Sequence, residues 1–384
     1  MQNARLWSAE TPNLYICRTI LKNDQGKEVE KRDVKFSICQ IKASPQGIFI
    51  NGKSTLLRGG CVHLEHLKSR LTTCSDAQRS RSSHNPASSA TVEACDEYGV
   101  YLIDETCDMW FEAKLAYDYA KDFERRFKDD IRTIVKRDFS HPSVICYSIG
   151  NEVSEPRHEK GLKIEKEIVD LFHQLDKTRP VTCGIKKEDQ NQAGDFEKGL
   201  QPINTSVEFN RLVTELGKGM NLGASKPEAD KVSSPAFDMP DIAGYNYGSG
   251  RYTIDPIEHP NRAVVGTETF PYEIAQNWEL VKKLPHLIGD FMWTSWDYIG
   301  EAGIGAWAHT EDGMGFNEKY PWLLADSCAI YIIGNPNAEL GYTQVVWHHI
   351  KGPYISVQPV NHPDVKMWQA GWRGTNAIPY MELA

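Results

Sequence analysis

Short apolar runs that stop at a polar residue recur along this chain, separated by charged segments of helical period. The clearest is Val144-Ile145-Cys146-Tyr147-Ser148-Ile149, which ends abruptly at Gly150-Asn151-Glu152. A run this short, rich in β-branched and aromatic residues, predicts a strand buried on both faces, as in a parallel sheet. Similar runs occupy residues 56–60, 100–105, 179–184, 242–247, 263–268 and 287–297. Between them, 123–138 and 159–176 carry a helical period, and Gly99 closes a further helix through 92–98. Strand alternating with helix, with polar residues at the strands' carboxyl ends, predicts an α/β fold, a (β/α)8 TIM barrel. Barrels of this kind place their chemistry at those ends. On local pattern alone, a strand followed by an exposed loop glutamate explains Glu152 equally well.

The flanks have a different pattern. Residues 14–21 and 28–38 alternate, with the turn signal Asn23-Asp24-Gln25-Gly26 between them. Two or three strands do not make a stable sandwich alone, so residues 1–42 read as the tail of one. Ile48-Phe49-Ile50-Asn51-Gly52-Lys53 predicts a hairpin with an Asn-Gly turn. Beyond Tyr320, residues 329–334 and 354–359 are β-like. The polar, weakly periodic stretch 186–234 reads as a helix with long loops. The segment between Leu57 and Arg81 is short for a strand–helix–strand unit, which takes about 30 residues or more. Ser75-Asp76-Ala77-Gln78-Arg79-Ser80-Arg81 contains no apolar run. The second barrel strand is therefore expected to be weakened or lost, with His84 on a weakened strand or on a loop.

Charge and composition narrow the function. A net charge of −9 and a pI near 5.8 exclude the basic face of a nucleic-acid binder. No apolar window is long enough for a membrane span. The first residues show no basic region followed by an apolar core, so no secretory signal is visible or expected. Nine cysteines without a C-x-x-C pair suit free thiols in a reducing compartment, so a cytoplasmic location is expected.

Candidate chemistry centres on Glu152 and Glu268. On the barrel count, Glu152 ends the fourth strand and Glu268 the seventh, where both can face a sugar-sized ligand. Glycoside hydrolysis needs such a pair, one carboxyl donating a proton and the other attacking or activating water. Asn151 can hold a substrate hydroxyl, and Trp293, Trp296 and Tyr247 stand at the same ends as aromatic platforms. Trp296 and Trp307 fit a core equally well. His63 and His66 flank Glu65, but exposed loop histidines are commoner than ligands, and no metal is expected. Cys61 and Cys107 have no placed base, and buried thiols are usually inert.

Ser148-Ile149-Gly150-Asn151-Glu152 and Gly266-Thr267-Glu268-Thr269-Phe270-Pro271 resemble the acid/base and nucleophile motifs of glycoside hydrolase family 2. Arg81-Ser82-Ser83-His84-Asn85-Pro86, Cys95-Asp96-Glu97-Tyr98-Gly99 and Asp104-Glu105 resemble its other barrel signatures. Trp293-Thr294-Ser295-Trp296-Asp297-Tyr298, followed by Gly300-Glu301-Ala302-Gly303-Ile304-Gly305, is similar to the β-galactosidase-like branch. The resemblance runs from about residue 5 to the end, in family order. It implies a retaining hydrolase of terminal β-D-galactosides, with Glu152 as general acid/base and Glu268 as nucleophile. It places sugar contacts on His63, His84, Asn151, Tyr247 and Trp293, and needs no cofactor. Family members often form homo-oligomers.

The resemblance also implies a division of the chain. Residues 1–42 would be the C-terminal part of an immunoglobulin-like sandwich, and 43–325 the barrel, shortened near 61–81. Residues 326–384 would begin a C-terminal β domain. The chain is then an internal fragment or a damaged gene product. Some family members hold magnesium through a histidine motif after the third strand. Asp104-Glu105-Thr106-Cys107-Asp108-Met109-Trp110 lacks the histidine, so the metal does not carry over. Asn317-Glu318-Lys319 resembles a glucuronidase motif that grips a uronate carboxylate, but its place beyond the last strand reads as coincidence. The alternatives are a β-glucuronidase or other family 2 β-glycosidase, and a non-catalytic remnant that at most binds carbohydrate.

Overall fold

The computed structural model describes residues 3–63, 79–114, 117–186, 221, 223–305, 307–308, 323–351, 353–357, 368–369 and 377. β1 (Tyr15–Lys22) and β2 (Glu28–Phe36) pair antiparallel. β3 (Ile41–Ser44), β4 (Gly47–Ile50) and β5 (Lys53–Thr55) form a small antiparallel sheet. The two residues joining β4 to β5, Asn51 and Gly52, have φ of 53° and 78°. Positive φ at both positions is what a type I′ turn requires and what an Asn-Gly pair supplies.

Eight parallel strands then close a barrel: β6 (Leu57–His63), β7 (Arg79–Ser83), β8 (Tyr101–Glu105), β9 (Val144–Asn151), β10 (Val181–Lys186), β11 (Ile242–Asn246), β12 (Ala263–Thr269) and β13 (Leu287–Trp296). Each pairs with its neighbour in chain order, and β13 returns to β6. Glu152 thus follows the fourth barrel strand and Glu268 lies in the seventh.

β7 corrects an expectation. The second strand is not lost: Arg79-Ser80-Arg81-Ser82-Ser83 is a central strand, and every one of its residues is buried. It pairs with β6 through Cys61 and Arg81, and with β8 through Arg81 and Ile103. Arg81, Ser82 and Ser83 are hydrogen-bonded within the barrel. Ser82 Oγ donates to Asp104 Oδ1 at 3.2 Å and accepts from the Glu105 amide at 2.8 Å, and the Arg79 guanidinium lies 5.0 Å from the Tyr101 ring centre. Buried polar groups are tolerated where they are hydrogen-bonded. This strand therefore needs no apolar run, and His84 hangs directly from its end. The connection 64–78 lies outside the described residues, as do 187–220 and 222.

The helices close the outside. α1 (Ser89–Tyr98) is capped by Ser88, whose side chain accepts from the Thr91 amide. α2 (Ala120–Asp138) turns Phe123, Phe127, Ile131, Ile134 and Val135 inward at helical spacing. α3 (Glu159–Leu175) does the same with Ile168, Val169 and Phe172. α4 (Pro227–Phe237), α5 (Ile274–Lys283) and α6 (Ala338–Val346) follow. Trp7, Ile48 and Ile50 share a buried cluster with Leu57, Tyr101 and Phe291, and so close the end of the barrel opposite the strands' carboxyl ends. The β-like stretch 329–334 makes isolated bridges, Ile330 to Trp296 and to Pro336, instead of a strand. No helix among the described residues is long and apolar enough to cross a membrane.

Gly99 ends α1 with φ 72°, and a Cβ there would meet the Ala9 carbonyl oxygen at 2.2 Å. Gly99→Ala should lower stability by more than about 1 kcal/mol, because left-handed backbone alone costs an alanine about that much. Thermal unfolding of the two proteins checks this; an unchanged midpoint would contradict it.

Candidate active site

The carboxyl ends of the barrel strands converge on Arg81, which β7 points into the barrel and which is fully buried. Its Nη1 donates to Glu268 Oε1 at 2.8 Å and to the Thr267 carbonyl at 3.3 Å. Nε and Nη2 both donate to Glu105 Oε2, at 3.0 and 2.5 Å, and Nη2 also reaches Asn151 Oδ1 at 2.9 Å. A guanidinium this deep must be paired and hydrogen-bonded to be stable. The approach depends on Gly184 in β10, where a Cβ would stand 3.0 Å from Asn246 Oδ1 and 3.1 Å from Arg81 Nη2.

Glu105 holds the next residue outward. Its Oε2 accepts from Ser148 Oγ at 2.6 Å, and its Oε1 lies 2.8 Å from His84 Nδ1. Asn151 Nδ2 stands 3.3 Å from His84 Nε2. An amide nitrogen only donates, so Nε2 is the acceptor and Nδ1 carries the proton. Burial, with the Arg81 charge beside it, pushes His84 down to about 3, consistent with this neutral tautomer.

Asn246, the last residue of β11, links the two glutamates. Its Nδ2 is 2.9 Å from Asn151 Oδ1 and 3.4 Å from Glu152 Oε1, and its Oδ1 accepts from Thr267 Oγ1 at 2.6 Å. In the β-ladder it stands opposite Glu268. Glu152 and Tyr247 each sit one residue past their strands with φ of 44° and 49°. These left-handed turns are held by Glu152 N donating to the Gly184 carbonyl at 2.6 Å and Tyr247 N to the Glu268 carbonyl at 2.8 Å. Non-glycine residues keep such a conformation only where their surroundings enforce it.

Aromatic rings form one wall. Trp293 stacks on His84 with centres 5.0 Å apart and planes 4° apart, and His63 stacks on Tyr298 at 4.3 Å. The two histidines meet edge to face at 5.4 Å, and burial pushes His63 down to about 4. Tyr247 packs on Phe270 at 4.5 Å. Burial pushes the Glu268 carboxyl up to about 8; Arg81 pulls against that, and the Glu152 charge adds to the push.

All seven residues singled out in the sequence, Glu152, Glu268, Asn151, His84, His63, Tyr247 and Trp293, therefore lie at one end of the barrel. Trp296 belongs instead to the core between barrel and helices. Sequence reasoning gave no role to Arg81, Glu105, Asn246 or Tyr298. Glu105 and Asn246 carried the same signal as Glu152, a polar residue closing an apolar strand. Burial pushes the thiols of Cys61 and Cys107 up to about 12, which leaves both unreactive. Glu65, His66 and Asn317-Glu318-Lys319 lie outside the described residues. Asp230, Asp255 and His259 come close enough to share a metal ion. Arg251 already meets Asp230 at 2.9 Å and Asp255 at 2.5 Å, and Arg262 meets Asp255 at 3.3 Å, so guanidiniums balance the charge a metal would.

The raised Glu268 carboxyl sets a pH dependence of stability. Its folded value, about 8, exceeds the ordinary 4.5, so the native state favours the protonated form. The stability this group contributes is complete below pH 4.5 and is lost as pH rises through 8. Glu268→Gln should match wild type in unfolding midpoint near pH 4.5. It should become progressively the more stable protein up to pH 8, with no further separation above. Unfolding midpoints across that range test it, and parallel curves would count against it.

Comparison with known proteins gives this geometry a lineage. The chain matches the family model for the TIM barrel domain of glycosyl hydrolases family 2 over residues 53–207, and a second model of glycosyl hydrolases family 2 over residues 1–38. It is 27% identical to a putative β-glucuronidase of Formosa agariphila over 345 residues, covering 82% of this chain and 32% of that protein. It is 24% identical over 367 residues to the β-galactosidase BoGH2A of Bacteroides ovatus, covering 80% and 42%. A solved glycosyl hydrolase family 2 member from Bacteroides cellulosilyticus superposes with a TM-score of 0.74 at 28% identity, over 97% of this chain and 45% of that one. The chain thus spans less than half the length of each of these relatives. Two models of one family, in chain order and together matching about half the residues, join a closed barrel with its polar centre at the expected end: the chain belongs to the glycosyl hydrolases of family 2.

Proposed function

We propose that this chain carries the catalytic barrel of a retaining β-glycosidase that acts on terminal β-D-galactosides. The observation that supports this best is the placement of Glu268 on Arg81, with Glu152 joined to the same hydrogen-bonded network through Asn246. In the proposed cycle Glu268 attacks the anomeric carbon as Glu152 gives its proton to the departing glycosidic oxygen. The sugar is left in an ester bond to Glu268. Glu152, now a carboxylate, takes a proton from water, whose oxygen attacks the same carbon and frees Glu268. Arg81 holds Glu268 in place and favours its charged form, and Asn151 and His84 face the sugar hydroxyls. Trp293 and Tyr247 supply aromatic faces, and His63 lines the pocket behind His84.

A neutral sugar is favoured over a uronate because, among the described residues, the cations in this network are committed. Arg81 is paired with Glu105 and Glu268, and Lys114 with Asp108 at 2.7 Å. The names of the relatives include both β-galactosidase and β-glucuronidase, so the sugar is the point to test.

Turnover of 4-nitrophenyl β-galactoside above that of the β-glucuronide, abolished by Glu268→Gln, is expected. Proton NMR of the first-formed sugar should show the β-anomer. Inversion, or wild-type silence on every β-glycoside, would overturn the reading. Glu152→Ala should lower kcat/KM by about 10²–10⁴-fold on substrates whose leaving group needs a proton, the usual worth of a general acid.

A further inference from the structure

Lys114 is not part of any barrel strand, yet it reaches the turn that carries Glu152. It lies in the connection between β8 and α2, and its Nζ donates to the main-chain carbonyl of Asn151 at 2.6 Å and to Asp108 Oδ1 at 2.7 Å. That same Asp108 oxygen accepts from the Asn151 side-chain amide at 3.2 Å. Lys114 and Asp108 therefore hold Asn151 at both its backbone and its side chain. The peptide that follows is fixed from its other side, by Glu152 N donating to the Gly184 carbonyl at 2.6 Å. The unit so clamped is the Asn151–Glu152 peptide, from which Glu152 departs with φ 44°. A non-glycine residue keeps that conformation only where its neighbours hold it.

The ammonium is also part of the field in the pocket. Its charge acts on Glu105, on Glu301 and on His84, in each case as one of several influences behind burial. Its side chain is about one-third exposed, as is that of Asp108. The pair is thus partly open to solvent and not in the core. An exposed lysine–carboxylate pair on a helix contributes little by itself. A lysine spent on a backbone carbonyl next to the turn has a different use.

Resting on the glycosidase reading above, we propose that Lys114 is a positioning residue for proton donation: it clamps the Asn151 carbonyl and so aims Glu152 at the departing oxygen. Lys114 does not touch the reacting atoms and acts through the turn. Loss of the clamp should therefore weaken bond cleavage where a proton must be supplied and spare cleavage where it need not be.

The test compares kcat/KM, which covers events up to formation of the glycosyl-enzyme, for a 2,4-dinitrophenyl glycoside and for an alkyl glycoside of the same sugar. Misaimed acid catalysis surrenders part of the 10²–10⁴-fold typical of a general acid, so Lys114→Met should lose about tenfold or more on the alkyl glycoside. The activated dinitrophenyl substrate, which leaves without a proton, should lose less than about threefold by the same reasoning. Lys114→Arg, which can still donate to the carbonyl, should recover part of the alkyl activity. Equal losses on both substrates, with a lowered unfolding midpoint, would make Lys114 merely structural and overturn the proposal; unchanged activity on both would overturn it too. Wild-type turnover in the same assay bears on the glycosidase reading, whereas the ratio between the two substrates bears on Lys114.

Discussion

A buried guanidinium with two carboxylates is the constraint on which the rest of this barrel depends. Arg81 comes from β7, Glu105 from β8, Asn151 from β9 and Glu268 from β12, so one side chain ties four strands together across the barrel interior. Removing the guanidinium from this cluster would cost about 3–5 kcal/mol, because buried carboxylates would be left without their counter-charge. The sequence of β7 follows from this. A strand delivering a charged residue to the centre, and serines to hydroxyl bonds in the wall, has no room for an apolar run.

The same cluster sets the electrostatics of the mouth. Glu105, Glu268, Glu152 and Asp108 stand together against Arg81 and Lys114, while burial holds His63 and His84 neutral. The excess of carboxyls over fixed cations favours keeping a proton among them. Burial raises both Glu105 and Glu268, the Glu152 charge adds to the rise at Glu268, and Arg81 opposes the rise at both. The proposed cycle needs the proton on Glu152 and the charge on Glu268. The direct contact from Arg81 works toward the charged form of Glu268, against the burial that raises it.

Seven of the eight barrel strands were legible in the sequence for one physical reason. Strands covered on both faces are apolar throughout, as in Val144-Ile145-Cys146-Tyr147 and Ala263-Val264-Val265, and their polar last residues mark the functional end. β7 was not legible because ion pairs and hydroxyl bonds stabilise its burial, and these depend on partners far away in sequence. Arg81 and Glu268 are 187 positions apart. The glutamates and Asn151 were found because they stand at strand ends inside motifs. Asn246 was missed, although it ends Ile242-Ala243-Gly244-Tyr245 in the same manner. Tyr298 was missed because its role comes only from stacking on His63. The stretch 329–334 has strand composition but lies against the end of β13 as isolated bridges, which composition alone does not distinguish from a ladder.

Among the described residues, Glu152, Tyr247 and Glu301 at the mouth adopt left-handed backbone. The first two share a device. Each follows a parallel strand by one residue, and its amide donates to a carbonyl on the next strand, Gly184 for Glu152 and Glu268 for Tyr247. The ladder thus runs one bond beyond the strand and fixes the turn that aims the side chain. A strand continuing straight would carry both side chains up and out of the pocket. The left-handed turn costs of order 1–3 kcal/mol, which a single bond worth about 0.5–1.5 kcal/mol does not offset. At Glu152 the balance comes from the bonds that hold Asn151, from Arg81, Asn246, Asp108 and Lys114. Aim at the mouth and burial at the centre are therefore one hydrogen-bonded system, in which the conformation of the half-buried Glu152 is set by Arg81, Asn246, Asp108 and Lys114 through Asn151.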